Sequence, residues 1–152
     1  MAIRNVVKMG DPILNKKCKK VVDFDERLHE LLDDMAETMY ENDGVGLAAP
    51  QVGIIRRAVV VDVGSGLIEL INPEIIEVSG EQTDLEGCLS VEDYIRDVTR
   101  PNYVKVKAQD RNGNEIFMEG TGFLARAFCH ELDHLEGILF VEKVNKEEKG
   151  EK

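Results

Sequence analysis

The sequence is short of cationic residues, cysteine, histidine and long apolar runs, and each shortage removes a class of protein. Nineteen Lys and Arg stand against thirty Asp and Glu, a formal net charge of -11 at pH 7. Gripping a nucleic-acid backbone needs clustered Lys and Arg, so no direct nucleic-acid surface is expected. Cys18, Cys88 and Cys129 form an odd set with no close spacing, which argues against a disulfide framework. Reduced thiols fit the cytoplasm, where a cysteine can serve as a metal ligand. No apolar run approaches the length of a membrane span, and residues 1–8 lack the apolar stretch of a secretory signal. Internal repeats and low-complexity stretches are also missing. A cytoplasmic protein with no membrane partner is expected, and a monomer.

What is present describes an ordinary globular chain. Its 152 residues are 43% hydrophobic and 32% charged, enough for one core without covalent staples. Residues 1–144 are expected to form a single domain. Residues 145–152 are almost wholly charged and are expected to be a disordered tail.

Periodicity gives an outline of the elements. Leu28, Leu31, Leu32, Met35 and Met39 recur at helical intervals, with Glu30, Asp33, Asp34 and Glu37 on the other face, which predicts an amphipathic helix over 26–40. Asp25 is its expected N-cap, and Asn42-Asp43-Gly44 its stop. Residues 57–63, 67–71, 75–78 and 103–109 read as strands. A turn at Asp110-Arg111-Asn112-Gly113 leads into another strand over 115–119. A second helix is predicted over 122–135, ended by Gly137, with a short strand or extended segment at 138–141. Several strands and few helices, without alternation, predict an α+β fold. In it, antiparallel or mixed sheets pack around the second, central helix, and the amphipathic helix precedes them.

The chemistry concentrates in His130-Glu131-Leu132-Asp133-His134. Residues four apart share one helix face, so two imidazoles can reach one ion while Glu131 serves as a base beside it. Two of the chain's three histidines fall in this motif, which weighs against coincidence. A catalytic metal needs a third protein ligand and an open position. The candidates are a carboxylate, such as Glu136 or Glu142, or a cysteine. Cys88 within Glu86-Gly87-Cys88-Leu89-Ser90 is the better choice, since the neighbouring glycine lets backbone approach closely and a thiolate is a strong ligand. Taken alone, Cys88 would read as a small buried hydrophobe.

Those two segments, with Gly44-Val45-Gly46-Leu47-Ala48-Ala49-Pro50-Gln51, resemble the three signature motifs of the peptide deformylases in order and spacing. The likeness runs from near residue 3 to about residue 144. It implies an enzyme that removes the N-formyl group from the N-terminal methionine of new polypeptides. Cys88, His130 and His134 would hold one divalent ion, with Fe2+ expected and Zn2+, Ni2+ or Co2+ able to replace it. The resemblance further implies a metal-bound water as nucleophile and Glu131 as general base and then acid. The Gln51 side-chain amide and the Leu89 backbone N–H would receive the oxyanion. The implied partners are N-formyl-methionyl nascent polypeptides and, transiently, the ribosome.

The glycine-rich motif is a poor phosphate loop, lacking Gly-Lys-Ser/Thr and placing Pro50 where a donor is needed. Gly44, Val45 and Gly46 instead suit an extended peptide lying against backbone. Phe123, Ala127, His130 and His134 form one helix row, so Phe123 and Ala127, with Val45 and Leu89, are expected to wall the methionine pocket. Glu86 is included among the substrate contacts, and Asp133 is expected to brace the site through Arg100. Three positions depart from many family members. Cys129 replaces a Gln, Glu92 a Pro, and Ile95 a substrate-contacting Arg for which Arg96 would have to substitute. Three other readings compete: a general zinc peptidase, a non-catalytic binding module, and a structural zinc site. The first lacks a downstream ligand and the second leaves Glu131 and Gln51 without purpose. The third would need a fourth ligand, and Cys18, among lysines, is expected at the surface.

Overall fold

The computed structural model describes residues 2–144; the expected tail at 145–152 lies outside them. Its architecture is α+β. A five-stranded antiparallel sheet, in the order β1-β2-β3-β6-β7, combines Gly46–Ala48, Ala58–Val61, Ile68–Ser79, Tyr103–Gln109 and Glu115–Thr121. A separate antiparallel pair, β4 (Gln82–Cys88) and β5 (Val91–Arg100), stands beside it. Two α-helices, α1 (Glu26–Glu41) and α2 (Gly122–Leu135), complete the core with three short 3₁₀ turns.

The burial pattern follows from both faces of the first sheet being covered at its β1–β3 end. Leu28, Leu31, Leu32, Met35 and Met39 of α1 pack with Ala58, Val60 and Ile71. Ala125, Phe128, Leu132 and Leu135 of α2 pack with Val59, Val61, Leu70, Val104 and Val106. Strand β2 therefore feeds alternate side chains to two helices. That is why it is a continuous run of alanine and valine and not a polar–apolar alternation. The predicted Asp25 cap forms, its side chain accepting from the Leu28 N–H, and α2 spans the predicted residues 122–135.

Three expectations change. The strands read at 67–71 and 75–78 are one strand, β3, bent where its register shifts between Ile71 and Glu74. Pro73 breaks the hydrophobic pattern there, but Asn72 adopts φ 52° and closes the gap. Its side chain accepts from the Val21 N–H at 2.7 Å and donates to the Val21 carbonyl at 2.9 Å and to Gln109 Oε1 at 2.8 Å. The segment at 138–141 is no strand, since Phe140–Lys143 forms a 3₁₀ turn that brings Phe140 into the interior. Cys18 is buried, not surface. Its lysine neighbours remain exposed while its thiol packs in the α2 cluster and its N–H donates to Leu135 O. Burial pushes that thiol up to about 11.

The pair β4–β5 escaped the sequence reading because it has little apolar face to announce it. Val91 and Val98 pack with Phe140 and Val144, while most of β4 is exposed. Leu89 and Ser90 connect its strands. The register then slips between Glu86–Arg96 and Cys88–Val91, so residues 92–95 bulge from β5.

Replacing Asn72 by Ala removes its side-chain hydrogen bonds to Val21 and Gln109 and leaves, in left-handed backbone, a residue that tolerates it less well than asparagine. Each lost hydrogen bond costs about 1 kcal/mol, and the poorer tolerance of alanine for this backbone adds a smaller amount. Denaturant unfolding of Asn72→Ala is expected to show a loss of about 2–3 kcal/mol, with the m-value unchanged.

Candidate active site

Helix α2 presents His130 and His134 one turn apart, their ring centroids 5.0 Å apart. The β4–β5 connection brings Cys88 to them, with its Sγ 3.4 Å from His134 Nε2. One ligand atom from each of Cys88, His130 and His134 lies within 4.8 Å of the other two. The alternative carboxylates Glu136 and Glu142 are not in this cluster.

His130 is fixed from behind. Its Nδ1 lies 2.6 Å from Glu86 Oε2, so the imidazole donates there and leaves Nε2 for the site. Glu86 also accepts from Arg100, at 3.1 and 2.6 Å, and from Arg126 at 2.8 Å. Burial opposes the charged form of Glu86, but the bonds from His130 and Arg100 outweigh it and hold the carboxyl down at about 2. Arg100 continues to Asp133 at 2.8 Å, the expected brace. Glu86 borders the cavity, and these partners occupy its carboxylate.

Glu131 sits against β1. A Cβ at Gly46 would fall 2.5 Å from Glu131 Oε2, so only glycine leaves the carboxylate its place. Glu131 Oε1 is buried and has no hydrogen-bond partner among the described residues. Burial, opposed by the nearby His130, pushes the Glu131 carboxyl up to about 7. For His130, burial disfavours charge, but Glu131, Cys88 and Glu86 drive its pKa well above the usual value. Burial and His130 together push His134 well below it.

Gln51 is oriented unambiguously. Its Oε1 accepts from the Ala48 N–H at 3.0 Å, so its amide nitrogen faces Ser90 Oγ at 3.1 Å and Cys88 Sγ at 3.6 Å. Leu89 follows Cys88, and its side chain packs so close to Gly44 that a Cβ there would meet it at 2.8 Å.

A cavity of about 720 Å³ opens onto these groups. Gly44, Val45, Gly46, Gln51, Leu89, Phe123, Ala127, His130 and Glu131, all singled out in the sequence, border it; His134 lies behind, 1% exposed. Cys129 is buried outside the ligand cluster, and burial pushes its thiol up to about 11. In the β5 bulge it is Ile95 that borders the cavity, while Arg96 stacks over the Tyr94 ring at 4.4 Å. Sequence reasoning missed Arg126, Ser90 and Lys8. Arg126 carried a signal, being the one charge inside the apolar stretch from Phe123 to Phe128, where a buried cation requires a partner.

Comparisons with known proteins show the family and the fold. The chain matches the polypeptide deformylase family over residues 3–150. A peptide deformylase of Caldicellulosiruptor bescii is 60% identical over 144 residues, covering 95% of this chain and 87% of that protein. One from Alkaliphilus metalliredigens is 57% identical, covering 97% of this chain and all of its own length. The crystal structure of the Thermotoga maritima peptide deformylase superposes with a TM-score of 0.93 at 43% identity, covering 95% of this chain and 99% of that one. The Ehrlichia chaffeensis enzyme, solved in complex with actinonin, gives 0.94 at 36% identity, over 99% of this chain and 93% of that one. On sequence and structure alike, the chain belongs to the polypeptide deformylase family.

Proposed function

We propose that this chain removes the formyl group from N-formyl-methionyl polypeptides by metal-assisted hydrolysis, releasing formate and a free amino terminus. The observation that carries the reading is the convergence of three ligand atoms within 4.8 Å at a cavity that also receives Glu131 and the Gln51 amide. The residues fit a divalent ion. One thiol and two imidazoles make a mixed sulfur–nitrogen set, Glu86 leaves His130 Nε2 free, and three ligands leave a position open. When bound, such an ion polarises the formyl group and lowers the pKa of water. Fe2+ is the proposed native ion, with Zn2+, Ni2+ or Co2+ able to occupy the same ligands.

The chain's own groups supply the rest. Glu131 takes a proton from the attacking water and delivers it to the departing amine, a task suited to a carboxyl pushed up to about 7. As water adds to the formyl carbon, charge gathers on the formyl oxygen, where Gln51 Nε2 and the Leu89 N–H donate. The C–N bond then breaks and formate leaves. The substrate backbone lies along β1, the edge of the five-stranded sheet. Its methionine side chain enters between Val45, Leu89, Phe123 and Ala127. A cytoplasmic enzyme working on nascent chains is part of this proposal; no helix among the described residues is long and apolar enough to cross a membrane.

Anaerobically prepared protein is expected to deformylate formyl-Met peptides and to leave acetyl-Met and internal peptide bonds intact; the reverse selectivity would sink the reading. Exchanging Glu131 for Gln should lower kcat by on the order of 10²–10⁴ with metal content preserved. Chelation should abolish turnover, and Fe2+, Ni2+ or Co2+ should restore it in the same sample. Gly46→Ala forces Glu131 off β1 and is expected to cut kcat about a hundredfold, in line with an ångström-scale misplacement. Its thermal midpoint should fall far less than that loss suggests.

A further inference from the structure

The proposed oxyanion donors belong to different sheets. Gln51 follows β1 in the five-stranded sheet, and Leu89 lies in the connection between β4 and β5. The two sheets share no strand, so no strand ladder sets the distance between the donors. The segment at residues 7–9 spans this gap. Val7 N–H donates to Gln51 O at 2.7 Å, and Met9 N–H donates to Ser90 O at 2.7 Å. Val7 and Met9 stand two residues apart, Met9 already in the turn that the Asp11 N–H closes onto Lys8 O, so one short stretch reaches both loops. Between them, Lys8 Nζ donates to Leu89 O at 3.0 Å and pairs with Glu92 Oε1 at 3.0 Å.

The strap is anchored at both ends. Upstream, Ala2 N–H donates to Asp34 Oδ1 at 2.6 Å and Arg4 N–H to Thr38 Oγ1 at 2.8 Å, both on α1. Downstream, Asp11 caps the 3₁₀ turn Pro12–Asn15. The Lys8–Glu92 pair is half-exposed or more on both sides, so solvent screens most of it. The bond to the Leu89 carbonyl is exposed as well, but it is charge-assisted and reaches the residue that carries the proposed donor.

We infer that Lys8 is a positioning residue for deformylation: with the Val7 and Met9 amides it holds the Leu89–Ser90 connection at a set distance from Gln51, so that both donors meet one oxygen. This rests on the deformylase reading, in which Gln51 and the Leu89 N–H receive the developing charge. Lys8 acts through Leu89, and its effect falls on the transition state more than on substrate binding.

Lys8→Met keeps the stem and removes the donor; Lys8→Arg restores one. With a formyl-Met dipeptide and with a longer formylated peptide, Lys8→Met is expected to lower kcat about tenfold and leave KM within about twofold, a partial misalignment on the scale set by near-attack geometry. Lys8→Arg should recover most of the loss. Amide hydrogen exchange across residues 88–91 should quicken in Lys8→Met and return in Lys8→Arg. Unchanged kcat or unchanged exchange overturns the inference. So does a KM that rises only for the longer peptide, which would make Lys8 a substrate contact. A wild-type chain inert toward formyl-Met peptides overturns the deformylase reading instead, and exchange still reports whether Lys8 holds the connection.

Discussion

A single buried carboxylate, that of Glu86, joins the parts from which the site is made. It sits on β4, and its partners are Arg100 on β5 and both Arg126 and His130 on α2. Desolvating a carboxylate costs several kcal/mol, and attraction offsets this only when every lone pair is engaged. Glu86 meets that condition with three partners and remains charged, its pKa held near 2. A depressed carboxyl stabilises the fold above its ordinary range, and the contribution disappears as pH falls from there toward 2. At neutral pH the bond is therefore fully in force. It decides which imidazole nitrogen of His130 faces the cavity.

That constraint lets a weak element carry a chemical group. The β4–β5 pair is two strands with a modest apolar cluster, and an isolated hairpin is marginal in water. Held by Arg100, Arg126 and His130, it can still bring Cys88 to α2. The opposite wall is rigid for a different reason. Helix α2 and strand β2 sit in the main core, and β1 runs so close to α2 that Gly46 has room for no side chain beside Glu131. One wall is fixed by close packing and the other by ion pairing, and the ligand cluster forms where they meet.

This division explains what the sequence could and could not reveal. Elements whose burial follows helical or strand period were legible: α1, α2 and the hairpin from Tyr103 onward stand close to their predicted bounds. His130, Glu131 and His134 are legible through spacing and Cys88 through thiol chemistry and the family resemblance, and Cys88, His130 and His134 do converge. What stayed hidden depends on partners distant in sequence. Arg126 reads as an oddity until Glu86 faces it across forty residues. Asn72 reads as a loop residue until Val21 and Gln109 close around it. Phe140 reads as a strand residue, yet its ring lies 5.8 Å from that of His130. Glu86 stands in a motif, yet its bonds to Arg100, Arg126 and His130 are not in that motif, since a sequence motif marks that a residue matters and not what it touches.

The same two walls suit an enzyme whose substrates share only their first residue. Nascent polypeptides differ beyond the formyl-methionine, so recognition there must rest on backbone. Strand β1 offers such recognition, because an edge strand pairs with main chain whatever the side chains. The rim agrees: Leu85, Ile95 and Phe123 border the cavity at 58%, 57% and 54% exposure. Exposed apolar side chains of this kind tolerate many neighbours without demanding a partner charge. Ile95 adds apolar area to that rim, while Arg96, next along β5, stacks over the Tyr94 ring and does not border the cavity. Binding beyond the first residue would then draw less on a side-chain ion and more on β1 and apolar area. On the proposed reading, selectivity for the first residue falls to the deeper end, where Ala127, 4% exposed, borders the cavity beside His130 and Glu131.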